Sequence, residues 1–297
     1  MFGMKMAGKF AGAGLAAALV FASASAVLAE DKGMPLPWQK GLQPPATQIA
    51  ENIQWFHDGL LLPIITVISI FVLALLIYIV VRFNEKANPV PSKTTHHTML
   101  EVAWTVIPVL ILVFIAVPSF KLLREQVVIP KSDMTIKVTG KQWYWTFEYP
   151  KDYGGITFDA IMLNDEDRAK AIKAGAKAED MPRLLAVDNI AYVPVNKVVR
   201  VQVTAADVIH AFAIQSFGVK IDAVPGRLNE TWFKATKEGI YYGQCQELCG
   251  KDHAFMPLAI RVVSQDKYDA WLKEAQKKFA TDPSPAMQFA GTPAVQQ

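Results

Sequence analysis

The residues best equipped for chemistry lie together near the C-terminus: Cys245-Gln246-Glu247-Leu248-Cys249, then Gly250-Lys251-Asp252-His253, and Met256. A second imidazole, His210, stands upstream ahead of a strand-like run, and the whole chain holds only two cysteines and five histidines. Thiolate and thioether donors select soft metals, copper above all, and imidazole suits copper too. Zinc would accept Cys245, Cys249, His210 and His253 as a closed tetrahedron, leaving Met256 unexplained. A mononuclear blue-copper site takes one cysteine, two histidines and a weak axial Met, which leaves a cysteine over. Two thiolates that each bridge two copper ions account for all five side chains, with one His per copper and Met256 on one of them. The alternative is a disulfide between Cys245 and Cys249. It would close a very short loop, where the gain sits at the low end of the roughly 0–5 kcal/mol range.

The elements that must carry these donors change character along the chain. Residues 1–29 read as a secretory signal, with Lys5 and Lys9 before an Ala-rich apolar run and small residues ahead of a cleavage site after Ala29. Residues 30–58 then form an exterior segment. Gly59 to Val81 and Val102 to Phe120 are uncharged and long enough to cross a bilayer. They predict transmembrane helices over 59–83 and 99–123, joined by a cytoplasmic loop over 84–98. Pro63, Pro108 and Pro118 fall inside these runs, where membrane helices tolerate them. Lys and Arg flank both sides, so the exported signal carries the topology: the loop inside, everything after the second span outside.

From Met134 the pattern becomes short strands. Thr135 to Thr139, Val198 to Thr204 and Leu258 to Val263 alternate or run apolar, with turns at Tyr153-Gly154-Gly155 and Pro225-Gly226. A β-sandwich over 124–265 follows, interrupted by a polar, Ala/Lys-rich insertion from Asp165 to Ala176. An amphipathic helix over 266–279 closes it, and a Pro/Ala/Thr/Gln-rich tail over 280–297 has the composition of a disordered segment. The net charge of +3 and the absence of a clustered basic face exclude a nucleic-acid partner.

The run Tyr241 to Pro257 resembles the copper-A signature of the cytochrome c oxidase subunit II family. The likeness extends through the paired spans, Gln142-Trp143-Tyr144-Trp145 and Asp222-Ala223-Val224-Pro225-Gly226-Arg227 to the C-terminal helix. The resemblance implies two transmembrane helices followed by a cupredoxin-like β-barrel in a bacterial inner membrane, its copper domain in the periplasm. It implies a binuclear copper site ligated by His210, Cys245, Cys249, His253 and Met256, with the Glu247 backbone carbonyl as a further ligand. The Glu247 carboxylate would bind a magnesium or manganese ion shared with subunit I. The implied partners are oxidase subunits I and III and cytochrome c.

The same resemblance assigns roles away from the metal. It makes Trp143 an exposed residue that receives the electron from cytochrome c. Composition alone puts the alternating Trp143, Trp145, Phe147 and Tyr149 in a core, and for Trp145 that reading is kept. Cytochrome c presents a lysine-rich face, so an acidic patch is expected near Trp143. The domain between Lys131 and Gln265 has 17 basic and 16 acidic residues, so the patch must be local. Glu148, Asp152, Asp188 and Asp207 match acidic positions of the family. Glu101, at the start of the second span, corresponds to a glutamate at the mouth of a proton-uptake pathway; otherwise it is a headgroup-level carboxylate. His57, His96 and His97 read as solvated. A copper-delivery protein would carry one anchor and have no use for Met256. A quinol-oxidase relative would lack the ligands, and nitrous oxide reductase lacks the two-span anchor.

Overall fold

The computed structural model describes residues 33–279, so the expected signal (1–29) and tail (280–297) lie outside it. The first helix, α1, runs Gln48–Arg82, and the second, α2, Thr98–Val127; both are long and apolar enough to cross a membrane. Helix α1 starts eleven residues before the uncharged run, within the segment expected as exterior. The Thr47 side chain caps its first turn by accepting from Ala50 N–H at 3.0 Å. Its polar first turns bury Ile49 and Ala50. Hydropathy could not show this stretch, because Gln48, Glu51, Asn52 and Gln54 dilute it. One wide turn, Phe56–Leu61, interrupts the regular helix just before Pro63, which offers no N–H and crowds the preceding carbonyl. Helix α2 passes through Pro108 and Pro118 unbroken. The helices are tied where Asn52 Nδ2 donates to Glu125 Oε2 at 2.9 Å.

Ten strands form the β domain: β1 (Met134–Lys141), β2 (Tyr144–Tyr149), β3 (Ile156–Ala160), β4 (Ala191–Pro194), β5 (Val199–Ala205), β6 (His210–Ile214), β7 (Val219–Ala223), β8 (Asn229–Phe233), β9 (Gly239–Gln244) and β10 (Pro257–Val263). They make a five-stranded sheet, β3-β2-β1-β5-β8, a three-stranded sheet, β4-β10-β9, and the β6-β7 hairpin. The alternation read in the sequence is the alternation of burial: β1 and β5 turn every second side chain inward. Ile136, Val138, Trp145, Phe147, Val201, Val203, Phe212, Leu258 and Ile260 meet in the core. Each such side chain, fully buried, contributes about 1.5–3 kcal/mol.

The insertion forms a helix, α3 (Asp165–Lys173), capped by the Asn164 side chain at Asp167 N–H. The closing helix, α4 (Gln265–Phe279), buries Tyr268 and Ala275. The segment before α1 is woven into the sheets: Tyr242 N–H donates to Gly33 O at 2.8 Å, and Ala46 bonds both Ser216 and Thr236. These links attach the helical hairpin to the domain that bears the donors.

Candidate metal centre

His210 opens β6 and is completely buried. It fits because its neighbour on β1 is Gly140, where a Cβ would lie 2.9 Å from the imidazole. Cys245 follows the last residue of β9, and the loop from there to β10 supplies Cys249, His253 and Met256. That loop is held to β6 by Gln246 N–H donating to Ala211 O at 3.2 Å.

The donors form an unbroken run. His210 Nδ1 is 3.9 Å from Cys245 Sγ, which is 3.8 Å from Cys249 Sγ. Cys249 Sγ is 3.5 Å from both His253 Nδ1 and Met256 Sδ. The Glu247 carbonyl, the further ligand implied by resemblance, lies 3.2 Å from Cys245 Sγ, while the Glu247 side chain faces solvent. Both cysteines are free thiols, so the disulfide alternative is not what this geometry holds. Two sulfurs on one tetrahedral ion at about 2.3 Å stand about 3.8 Å apart, so the pair fits a shared metal. A ring nitrogen of His210 and the two thiol sulfurs lie within 4.8 Å of one another.

The supporting residues were less visible in the sequence. Asp207 Oδ1 accepts from His210 Nε2 at 2.8 Å, which leaves Nδ1 to face the sulfurs. Its other oxygen, Oδ2, accepts from Gln142 N–H at 2.7 Å. Gln142 Nε2 in turn donates to the Cys249 carbonyl at 2.9 Å. Trp145 is buried as expected, and it also supports the site: its ring lies 6.0 Å from the His210 ring and its Nε1 donates to Met256 O at 3.1 Å.

Electrostatics divide the thiols. Burial raises the Cys245 thiol, but hydrogen bonds from His210, from the backbone at Glu247 and Ala211 and from His253 outweigh it, and the net shift is downward. Burial and the neighbouring Cys245 charge both push the Cys249 thiol up. The surroundings thus favour the charged form of Cys245 over that of Cys249, and a metal that binds both thiols must displace their protons. Burial opposes a charged His210, yet its bonds to Cys245 and Asp207 raise its pKa. Burial also opposes a charged Asp207, and the bonds from His210, Val208 and Gln142 bring it below the ordinary carboxylate range.

Trp143 departs from the expectation on two counts. It sits in the two-residue turn between β1 and β2, before the strand begins, and it is half-buried. Pairing of Lys141 with Tyr144 closes the hairpin and leaves Gln142 and Trp143 at its tip. Trp143 Nε1 shares the Cys249 carbonyl at 3.3 Å. Gly250, with φ of 128°, packs beneath it where a Cβ would come within 2.8 Å of the indole.

The four carboxylates expected at one patch are spread out. Asp207 is turned toward His210 and Gln142. Asp188 accepts from Ile161 N–H and Asn189 N–H, pinning the chain beyond β3. Glu148 pairs with Lys137 at 3.1 Å, five residues from Trp143 or roughly 16 Å along the strand. Asp152 lies past the other end of β2. Glu101 is distant from all of these: its Oε1 accepts from His97 N–H at 3.3 Å, while His97 Nδ1 accepts from Leu100 N–H at 3.3 Å. The pair forms a reciprocal cap on α2, so His97 is a capping residue as well as a solvated one.

A β-sandwich that gathers a His/Cys/Cys/His/Met cluster able to hold metal, preceded by two helices long and apolar enough to cross a membrane, has the make-up of a membrane-anchored domain of the cupredoxin-like kind. Residues 134–263 match the family "Cytochrome C oxidase subunit II, periplasmic domain" and residues 35–122 its transmembrane domain. A probable cytochrome c oxidase subunit 2 of Rickettsia bellii is 52% identical over 246 residues, 83% of this chain and 87% of that one. The cytochrome c oxidase subunit 2 of Cereibacter sphaeroides is 47% identical over 275 residues, 89% of each chain. The crystal structure of the periplasmic domain of subunit II of cytochrome oxidase of Bradyrhizobium japonicum is 60% identical, covering 51% of this chain and 99% of that chain with a TM-score of 0.45. The chain belongs to the cytochrome c oxidase subunit II family. Its His/Cys/Cys group is consistent with the copper-A site of that family.

Proposed function

We propose that this chain is the electron-accepting subunit of a respiratory, proton-pumping cytochrome c oxidase in a bacterial inner membrane. It takes electrons from cytochrome c on the periplasmic side and passes them to the hemes of subunit I, where oxygen is reduced to water. The observation that carries this reading is the unbroken run of donors from His210 through Cys245 and Cys249 to His253 and Met256. His210, Cys245, Cys249, His253 and Met256, with the Glu247 carbonyl, would hold two copper ions. When bound, such a pair shares one electron over two metals, so each transfer demands little rearrangement.

The protein's own contribution is to hold the donors still. Asp207 fixes the face that His210 presents, Trp145 braces His210 and Met256, and Gln142 and Trp143 together hold the Cys249 carbonyl. Trp143 receives the electron at the surface, and its indole N–H reaches the backbone of a copper ligand directly. Asp207, Asp188, Glu148 and Asp152 would steer a basic donor at long range. The Glu247 carboxylate would hold magnesium or manganese against subunit I, and Glu101 would stand at a proton-uptake route shared with it. Subunits I and III and lipid would cover the exposed apolar helices.

The test is Trp143→Phe in the assembled oxidase. It keeps an aromatic ring and every carboxylate but removes the hydrogen bond to Cys249. Flash-induced transfer from bound cytochrome c at low salt should slow by about tenfold, with affinity and copper spectrum unchanged. Transfer at the native rate would overturn Trp143 as the receiving residue.

A further inference from the structure

The surface around Trp143 carries cations where a lysine-rich donor would want anions. Lys251 Nζ stands 5.6 Å from the centre of the Trp143 ring, within cation–π range, and its side chain is 78% exposed. At the base of the same hairpin turn, Lys141 Nζ lies 5.1 Å from the Tyr144 ring centre. Nearby acids are already engaged. Asp252 is 3.9 Å from Lys251, Asp159 is 4.0 Å from Lys141 and bonded to Thr146, and Asp207 faces His210 and Gln142. Gly250, just before Lys251, packs on the indole at a positive φ, where a Cβ would come within 2.8 Å of the ring.

We infer that Lys251 is a specificity-determining residue of the donor-docking surface, an exposed positive charge beside the receiving ring that disfavours a donor with lysines at the point of closest contact. This rests on the reading that cytochrome c delivers its electron at Trp143. A strongly basic donor must bring its own ammonium groups against Lys251 as the complex tightens. The long-range attraction of acids elsewhere on the domain is thereby opposed at short range, which shortens the life of the complex and lets the oxidised donor leave. A donor with a carboxylate at its heme edge would instead find a partner in Lys251.

The experiment uses the assembled oxidase and a lysine-rich cytochrome c as probe, with Lys251→Met, Lys251→Glu and Lys251→Arg. Lys251→Met keeps an unbranched stem on the ring and removes only the charge. KM should fall by about threefold to tenfold at low ionic strength, further in Lys251→Glu, and kcat should fall with it wherever release of the oxidised donor limits turnover. The gap from native should narrow only in part as salt rises past physiological strength, because screening weakens the approach of exposed charges more than the contact of charges pressed together in the complex. Lys251→Arg should keep the native KM. A native KM and salt slope in Lys251→Met would overturn the proposal, and so would equal shifts in Lys251→Met and Lys251→Arg, which would mean that only packing matters. Failure of the underlying reading would show elsewhere, as native transfer in Trp143→Phe whatever the Lys251 variants do.

Discussion

In the β domain, the donor loop is braced from far along the chain: Gln142 Nε2 and Trp145 Nε1 donate to the backbone carbonyls of Cys249 and Met256, 107 and 111 residues away, while Asp207 orients His210 from three residues off. In the hairpin, nothing in the apolar windows of α1 and α2 is buried, and the one ionisable group of interest, Glu101, is held by His97, four residues away. One region is complete within the chain. The other presents surfaces that only lipid or a neighbouring subunit can finish. A change in the first should therefore be read in the isolated chain, and a change in the second only in the assembled oxidase.

The largest effect expected on the complete side comes from Cys249→Ser. Cys249 touches Cys245, His253 and Met256, so its loss breaks the run of donors at the centre. Any spectrum shared between two coppers should vanish while circular dichroism shows the β domain folded; a surviving mixed-valence signal would mean that Cys249 is not a bridge. Asp207→Asn should come next. It keeps the shape but removes the charge that sets the His210 tautomer, and copper affinity should drop by about 10–100-fold in a competition titration. Unchanged affinity would reduce Asp207 to a surface carboxylate.

The smallest effect belongs to the incomplete side. Glu101→Ala should slow turnover a few-fold and leave the copper spectrum and cytochrome c affinity alone. Glu101→Gln sharpens the contrast, because the amide oxygen can still accept from His97 N–H but can no longer carry a proton. If Glu101→Gln turns over like the native enzyme, the carboxylate is only the cap that its geometry describes.

The same contrast explains what the amino-acid sequence revealed. Cys245, Cys249, His253 and Met256 were legible because their types and spacing within one loop are chemically restrictive; β1 and β5 because alternation maps directly onto burial, and β10 because its apolar run is buried almost throughout. The start of α1 at Gln48 was hidden, since its first turns are polar outward and bury Ile49 and Ala50 against the β domain instead of lipid. Asp207 was read only as a docking acid although His210, the ligand candidate it orients, stands three residues on; its second bond, to Gln142, 65 residues away, needs the fold to be seen. Trp143 was placed on a strand because the aromatic alternation continues through it, whereas the β1–β2 register starts one residue later. Long-range register, not composition, decides these roles.

The central claim is that this chain binds two coppers in one electronically shared pair. It is tested most directly on the chain separated from its partner subunits and reconstituted with copper, by metal analysis and electron spin resonance on the same sample. The account predicts two coppers per chain and a mixed-valence signal with hyperfine splitting from two equivalent nuclei. One copper per chain, or zinc bound stoichiometrically in the native protein, would contradict it.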